Sequence, residues 1–308
     1  MNKVATLCLL VFLAVLATAC NDSVSLDQLS RYPSKLVVYA FPTEGDTIDI
    51  TISATYPISG KMPTLDVQTV SCTTNGIADR IVFRGDTIVG GGIPVSRFTA
   101  IGTHANGDAI EIKVQAANFP EAYGSTVIPQ KPTIESARLD TSSYKEFNYP
   151  VVRLDMLDNM STSYYAVRIE SKYKANPFGT NGYMPIVVAA EPLLSNSSNI
   201  DIDLSDWESD FYRYIYNFDN TTFNDGKATL HLYVDTWLSE SVVYRPHLFA
   251  LSTEYNSMLR SLNDISNNDL GKYGLAFAYS TYTNVHGGYG CIGAYAEVVG
   301  NWLKYTNN

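Results

Sequence analysis

The sequence predicts a mostly β protein: an N-terminal immunoglobulin-like antiparallel β-sandwich, followed by a larger β-rich domain with one amphipathic helix. Three observations carry that prediction. Short runs of apolar alternation, each bounded by Gly, Pro, Asn or Asp, recur through the first part of the chain at sandwich spacing. Tyrosine, a residue that fits a pleated surface, is unusually common at 22 copies. A single segment, Thr253 to Ile265, replaces the alternation with a helical stripe.

Residues 1–19 read as a signal peptide. Lys3 supplies the positive start, Ala5 to Leu16 the apolar stretch, and Ala17-Thr18-Ala19 the small residues required for cleavage. The apolar stretch is too short for a retained transmembrane helix, which needs about 20 apolar residues. Cys20 follows directly, as in a bacterial lipobox whose thiol is acylated and becomes the first mature residue. Two or three acyl chains, palmitate among them, make such an anchor stable. An ordinary secretory signal cut at Ala19 is the alternative, and it leaves a soluble periplasmic protein. Residues 20–33 are polar and aperiodic, which suits a lipidated tether.

Seven β-rich runs follow: Leu36 to Phe41, Thr47 to Ala54, Leu65 to Thr73, Arg80 to Arg84, Ser96 to Ile101, Ala109 to Ala116 and Thr126 to Ile128. They make residues 34–129 the immunoglobulin-like sandwich. Pro129-Gln130-Lys131-Pro132 closes it, because two prolines hold the chain extended and remove donors from any sheet. Residues 133–305 form the second domain. Its strand-like runs are Val151 to Leu157, Tyr164 to Tyr173, Pro185 to Ala190, Tyr212 to Phe218, Ala228 to Asp235 and Leu275 to Tyr282, with a long final run from Cys291 to Leu303. The helix, near residues 253–266, places Tyr255, Met258, Leu259, Leu262 and Ile265 on one stripe, with Ser252 as N-cap and Glu254 at its positive end.

The net charge of −10 argues against nucleic acid as a partner and against electrostatic adhesion to anionic lipid. Of four cysteines, Cys8 leaves with the signal and Cys20 carries lipid. Cys72 and Cys291 alone are able to pair; their places on apolar strand runs favour two separate buried thiols. Gly287, Gly288, Gly290 and Gly293 predict close backbone approach or a tight turn entering the last strand. A phosphate-binding loop there needs a following helix, whereas Ile292, Ala294, Ala296 and Val298 alternate as a strand does.

No motif names a reaction, and no catalytic residue is assigned. His104, His231, His247 and His286 stand apart, without ligand spacing, and no Gly-x-Ser-x-Gly or Cys-x-x-Cys occurs. The acidic run from Asp201 to Asp210 offers Asp201 and Asp203 as weak metal candidates. An EF-hand starting at Asp201 needs Gly sixth and Glu twelfth, but Asp206 and Tyr212 stand there, so a solvated acidic loop is the plainer expectation. No cofactor is expected. Tyr212, Tyr214 and Tyr216 alternate on one strand face, with Trp207 and Trp237 near in sequence. Exposed, these rings form a ligand or partner surface that stacks on sugar rings or supports a protein interface; buried, they are core. Asp22-Ser23-Val24, Asp46-Thr47-Ile48 and Asp86-Thr87-Ile88 fit an Asp-Ser/Thr-apolar pattern of O-glycosylation.

Several segments resemble a lipoprotein family of Bacteroidota catalogued as domain of unknown function 4249. They are Leu251-Ser252-Thr253-Glu254-Tyr255, Leu259-Arg260-Ser261-Leu262 and the stretch from Thr283 through His286-Gly287-Gly288 to Tyr295. Leu36-Val37-Val38-Tyr39, the Leu65 to Gly76 region and Thr126-Val127-Ile128-Pro129 are similar to its N-terminal half. The resemblance implies an envelope lipoprotein, often encoded beside a TonB-dependent outer-membrane transporter, and implies no enzymatic activity. The expectation is therefore a non-enzymatic outer-membrane lipoprotein, on the cell surface rather than the periplasmic face, that serves as an accessory or ligand-capture partner of such a transporter, with a glycan or small molecule as the candidate ligand. The alternatives are an envelope glycan hydrolase using loop carboxylates of the second domain, and an adhesion or structural lipoprotein.

Overall fold

The computed structural model describes residues 33–55, 64–89, 92–173, 182–194, 199–200, 214–267 and 280–305. The chain divides into two units. One comprises Met1–Ser34 and Thr55–Thr64, of which Pro33, Ser34, Thr55 and Thr64 are described. The other, Lys35–Ala54 with Leu65–Asn308, holds every strand and the helix described below.

Eight strands open this unit: Leu36–Ala40 (β1), Gly45–Ala54 (β2), Val67–Thr74 (β3), Ile77–Ala78 (β4), Arg80–Val89 (β5), Ile93–His104 (β6), Ala109–Ala116 (β7) and Ala122–Val127 (β8). Sheet order β1-β2-β6-β5 faces β4-β3-β7-β8, the immunoglobulin arrangement. Strict alternation builds its core. β7 buries Ile110, Ile112, Val114 and Ala116 while Ala109, Lys113 and Gln115 stay exposed, and the buried set meets Leu36, Val38, Ile48, Ile50 and Ile52 of the other sheet.

The second sandwich begins with Thr133–Tyr144 (β9), Phe147–Leu157 (β10), Tyr164–Tyr173 (β11), Gly182–Met184 (β12), Asn199–Ile200 (β13), Ile215–Asp219 (β14), Lys227–Tyr233 (β15) and Val242–Leu251 (β16). After the helix Thr253–Asn267 (α1) come Tyr289–Ile292 (β17), Tyr295–Val299 (β18) and Leu303–Lys304 (β19). The three-stranded sheet β15-β10-β9 packs against β13-β14-β11-β16-β18. Val152, Leu154, Met156, Leu230 and Leu232 meet Tyr165, Val167, Tyr216, Tyr244 and Leu248 between them. The other face of the larger sheet is covered by α1, whose Tyr255, Met258 and Leu259 join Ala166, Phe249, Leu251 and Cys291 in a third core. As expected, Ser252 caps this helix: its Oγ accepts the Tyr255 N–H at 3.2 Å. No helix among the described residues is long and apolar enough to cross a membrane.

Two expected runs differ from the structure, and two strands, β9 and β16, match no expected run, each for a physical reason. The final run from Cys291 to Leu303 is not one strand. β17 adds to the first sandwich, parallel to β1, and β18 belongs to the second. The break falls at Gly293 and Ala294, whose N–H groups are taken by Ala40 O at 3.1 Å and Ser252 Oγ at 3.1 Å instead of a ladder. The C-terminal segment thus completes a sandwich begun some 250 residues earlier, and the boundary at Pro132 does not enclose it. Next, Pro185 to Ala190 supplies only an isolated bridge, Ile186 to Val234, before a 3₁₀ turn at Val188–Ala190. β9, mostly polar, shows weak alternation because it is the edge of its sheet.

Finally, β16 is central yet carries Pro246, which normally argues against a central strand. The proline is tolerated because β18 and β19 leave a gap there: they pair with residues 247–251 and 243–244, and between them Gly300 N–H reaches Pro246 O at 2.8 Å. The expected strand from Leu275 to Tyr282 lies outside the described residues up to position 279, and 280–282 are irregular.

The glycine-rich segment behaves as predicted. Gly290 sits opposite Val38 with φ of 110°, and a Cβ there would stand 2.0 Å from the Val38 carbonyl oxygen. At Gly287, φ is 72° and the corresponding distance to Glu121 O is also 2.0 Å. Backbone packs on backbone at both places, which only glycine permits.

Candidate functional site

The solvent face of the smaller sheet of the second sandwich carries a row of rings. Inward positions of β10 are Val152, Leu154 and Met156, so the period of two sends Phe147 and Tyr149 outward. Tyr233 of β15, next to inward Leu232, points the same way. The β9–β10 hairpin brings Tyr144 to the same place, through a turn that holds Lys145 at φ of 54°. Ring centroids lie 6.4 Å apart for Phe147 and Tyr149, 6.2 Å for Tyr149 and Tyr233, and 6.0 Å for Tyr144 and Tyr233. Such spacings are those of interacting aromatic pairs.

Beside this row the chain leaves β15 through Asp235 and Thr236 to Trp237, and the two elements enclose a groove of about 370 Å³. Trp237 is 83% exposed and Phe147 55%. Polar atoms stand among the rings: Asn148, held by the Ser143 hydroxyl at 2.5 Å, and the Asp235 carboxyl. Flat apolar faces with a few amide and carboxylate groups are chemistry suited to a ring carrying hydroxyls, or to another protein's surface. Further along the same face, hydrogen bonds from Ser136 and Thr229 hold the Asp155 carboxyl below the usual carboxylate range.

The sequence-predicted aromatics divide. Trp237 lies in this groove. Tyr216 does not belong to a surface: it is 0% exposed in the second core, where its hydroxyl oxygen accepts the Ile186 N–H at 2.8 Å. Tyr214 packs against the same core from the turn before β14, at φ of 55°, so the expected alternation of tyrosines along one strand does not hold: among the described residues Tyr216 alone of the three lies in β14. Trp207, Tyr212, Asp201, Asp203 and Cys20 lie outside the described residues. Phe147 and Tyr149 were not singled out from sequence, although their spacing of two, after the Tyr144-Lys145-Glu146 turn, is the signal that marks them as one face of a strand.

A second polar cluster is closed on itself. His247, on β16, sits between two carboxylates: Nε2 is 2.9 Å from Glu170 Oε2 and Nδ1 2.6 Å from Glu297 Oε1. Both nitrogens donate only when the ring is protonated. Arg245 also donates to Glu170. Burial pushes the Glu170 carboxyl up, but hydrogen bonds and charge from Arg245 and His247 outweigh it and hold the group below the usual range. The Arg168 guanidinium lies 3.7 Å from the Tyr183 ring centre. Glu170, Arg245, His247 and Glu297 partner one another across β11, β16 and β18, as in a structural network.

The other histidines are also structural or exposed. His104 is buried with Nδ1 3.2 Å from Gly45 O, His231 lies 3.8 Å from Glu191, and His286 stacks on Tyr123 at 5.0 Å. Among the described residues, no three His, Cys, Asp or Glu side chains gather as a metal site. Cys72 and Cys291 are free thiols in the first and third cores, where burial pushes both well above the ordinary thiol range. Of the glycosylation candidates, Thr47 is exposed and Thr87 half-buried; Ser23 lies outside the described residues.

Fold and groove define the class: a protein of two β-sandwiches joined by a shared C-terminal segment, with aromatic faces displayed on the second. The chain belongs to the family described as domain of unknown function 4249, whose signature covers residues 22–300. No curated protein matches it. Among solved structures, the adhesin InvE of Yersinia pseudotuberculosis is similar at 13% identity, over 72% of this chain and 56% of the adhesin, with a TM-score of 0.20. The chain therefore spans little more than half of that protein's length, and a score so low carries no argument.

Proposed function

We propose that the protein is a non-enzymatic outer-membrane lipoprotein of Bacteroidota, anchored through Cys20 and facing the cell surface, that captures a glycan or other small ligand for a TonB-dependent transporter. The first sandwich acts as a spacer, and the second presents the groove. What carries this reading is the exposure of Trp237 and Phe147 beside Tyr149, Asn148 and Asp235: two large rings left in water at one end of a well-packed sandwich. Such rings offer stacking area at small entropic cost.

The test is purification of the full-length protein from detergent-solubilised membranes, alongside Cys20→Ala and the double variant Trp237→Ala, Phe147→Ala. Support requires fatty-acid label on wild type but not on Cys20→Ala, and a transporter that co-purifies with wild type. Equal label on both proteins sinks the anchor. Failure to recover a transporter sinks the partnership. Screening soluble glycans against the double variant separately tests whether the groove is the contact.

A further inference from the structure

A smaller and more polar cavity lies where α1 crosses β14, away from the aromatic groove. Its volume is about 100 Å³, and its walls include Tyr164, Leu193, Asn217, Asp219, Asn256 and Arg260. Asn217 carries the argument. It lies on the helix side of β14, 4% exposed, and its Nδ2 donates to Asn256 Oδ1 at 2.9 Å, while its own Oδ1 has no hydrogen-bond partner among the described residues. More than nine in ten buried polar groups are paired in folded proteins, so an orphaned carbonyl oxygen beside a cavity marks a place for a donor.

Two charges of opposite sign line the same cavity. Arg260 follows Asn256 by one helical turn and brings an exposed guanidinium to the cavity. Asp219, two residues after Asn217 on the same strand face, brings a carboxylate whose orientation is set by the backbone N–H of Thr221 at 3.1 Å and by its hydroxyl. Tyr164 and Leu193 supply an apolar wall. Guanidinium suits a carboxylate; an amide oxygen with a second carboxylate suits an ammonium. Both occur within one small space. A dry cavity of about 150 Å³ holds the six carbons of benzene, so this one encloses about four non-hydrogen atoms, and the one or two remaining atoms of a small ligand lie at its mouth beside exposed Arg260.

We propose that this cavity binds a small α-amino acid. Its carboxylate pairs with Arg260, its ammonium donates to Asn217 Oδ1 and Asp219, and a hydrogen or methyl side chain faces Tyr164 and Leu193. The site is independent of the aromatic groove and of any transporter, so it stands or falls separately from the function proposed above.

Calorimetric titration of the full-length protein in detergent, with glycine, L-alanine, acetate and methylamine as probes, tests it. Expected are saturable binding of glycine or L-alanine, affinity at least about tenfold weaker for acetate and for methylamine, and a rise in unfolding temperature with the amino acid alone. Arg260→Gln, an exposed substitution, is expected to keep the ligand-free unfolding temperature and to weaken L-alanine binding by about tenfold or more. Asn217→Asp is the second variant; its carboxylate retains an acceptor, so binding persists. The proposal is overturned if neither glycine nor L-alanine binds up to roughly 10 mM, if acetate binds as tightly as L-alanine, or if Arg260→Gln binds like wild type.

Discussion

Gly290→Ala tests the least local feature of this fold, the insertion of β17 beside β1. The added methyl would stand 2.0 Å from Val38 O, where real Cβ atoms keep at least 3.0 Å, so the strands must part by about 1 Å. Parallel ladder bonds near 2.9 Å do not survive that displacement. An alanine at φ of 110° also holds its backbone in a sparsely populated region, which costs about 1–3 kcal/mol. Two lost backbone hydrogen bonds add about 1 kcal/mol each. The sum is roughly 3–5 kcal/mol, a large part of the 5–15 kcal/mol that typically holds a domain together.

At about 2–4 °C per kcal/mol for units of this size, the unfolding temperature should fall by about 6–20 °C. Thermal unfolding followed by circular dichroism reads it directly. Because Ile292 serves the first core and Cys291 the third, both sandwiches should lose stability together. Gly182→Ala is the control: nothing lies within 4 Å of its added Cβ, and its effect should stay within about 0.5 kcal/mol. A Gly290→Ala protein melting within a degree or two of wild type would refute the described approach of β17 to β1.

Four further outcomes are expected. Ser252→Ala removes the acceptor of two backbone donors, Tyr255 N–H and Ala294 N–H, and should cost about 2 kcal/mol in urea unfolding. Trp237→Ala and Phe147→Ala, both at exposed positions, should leave the unfolding temperature unchanged and reduce capture of whatever the groove holds. Glu170 has a folded pKa below its unfolded value; its contribution is thus present above the ordinary carboxylate pKa and lost as pH falls through the folded one. A Glu170→Gln protein should accordingly show a shallower loss of stability on acidification below pH of about 4.5 than wild type. Lastly, Cys72 and Cys291 should resist alkylation at neutral pH in the native protein and react in denaturant without reductant; no mass gain in denaturant would mean that they are bonded.

Much of the strand and helix pattern is written locally. β7 and β11 coincide with their predicted runs, and the helix starts at Thr253 with its serine cap, because alternation, helical periodicity and capping act over a few residues. The inward or outward sense of a strand is a different matter. Tyr216 alternates with Ile215 and Asn217 in either case, and only the packing of β14 against β10 and β15 sends its ring into the core between the sheets. Phe147 and Tyr149, two apart on β10, face water because their strand belongs to a sheet covered on one side only.

What the sequence by itself determined, then, is the β character, the helix and the glycines at close backbone approach, all consequences of short-range sterics and solvation. Tertiary structure alone decided that residues 289–292 return to β1, that a proline is tolerated in central β16 opposite a gap, and that the exposed rings lie at the β9–β10 turn and Trp237. The physical reason is shared: each depends on which surface a strand finds across the fold, and nothing within that strand specifies its partner.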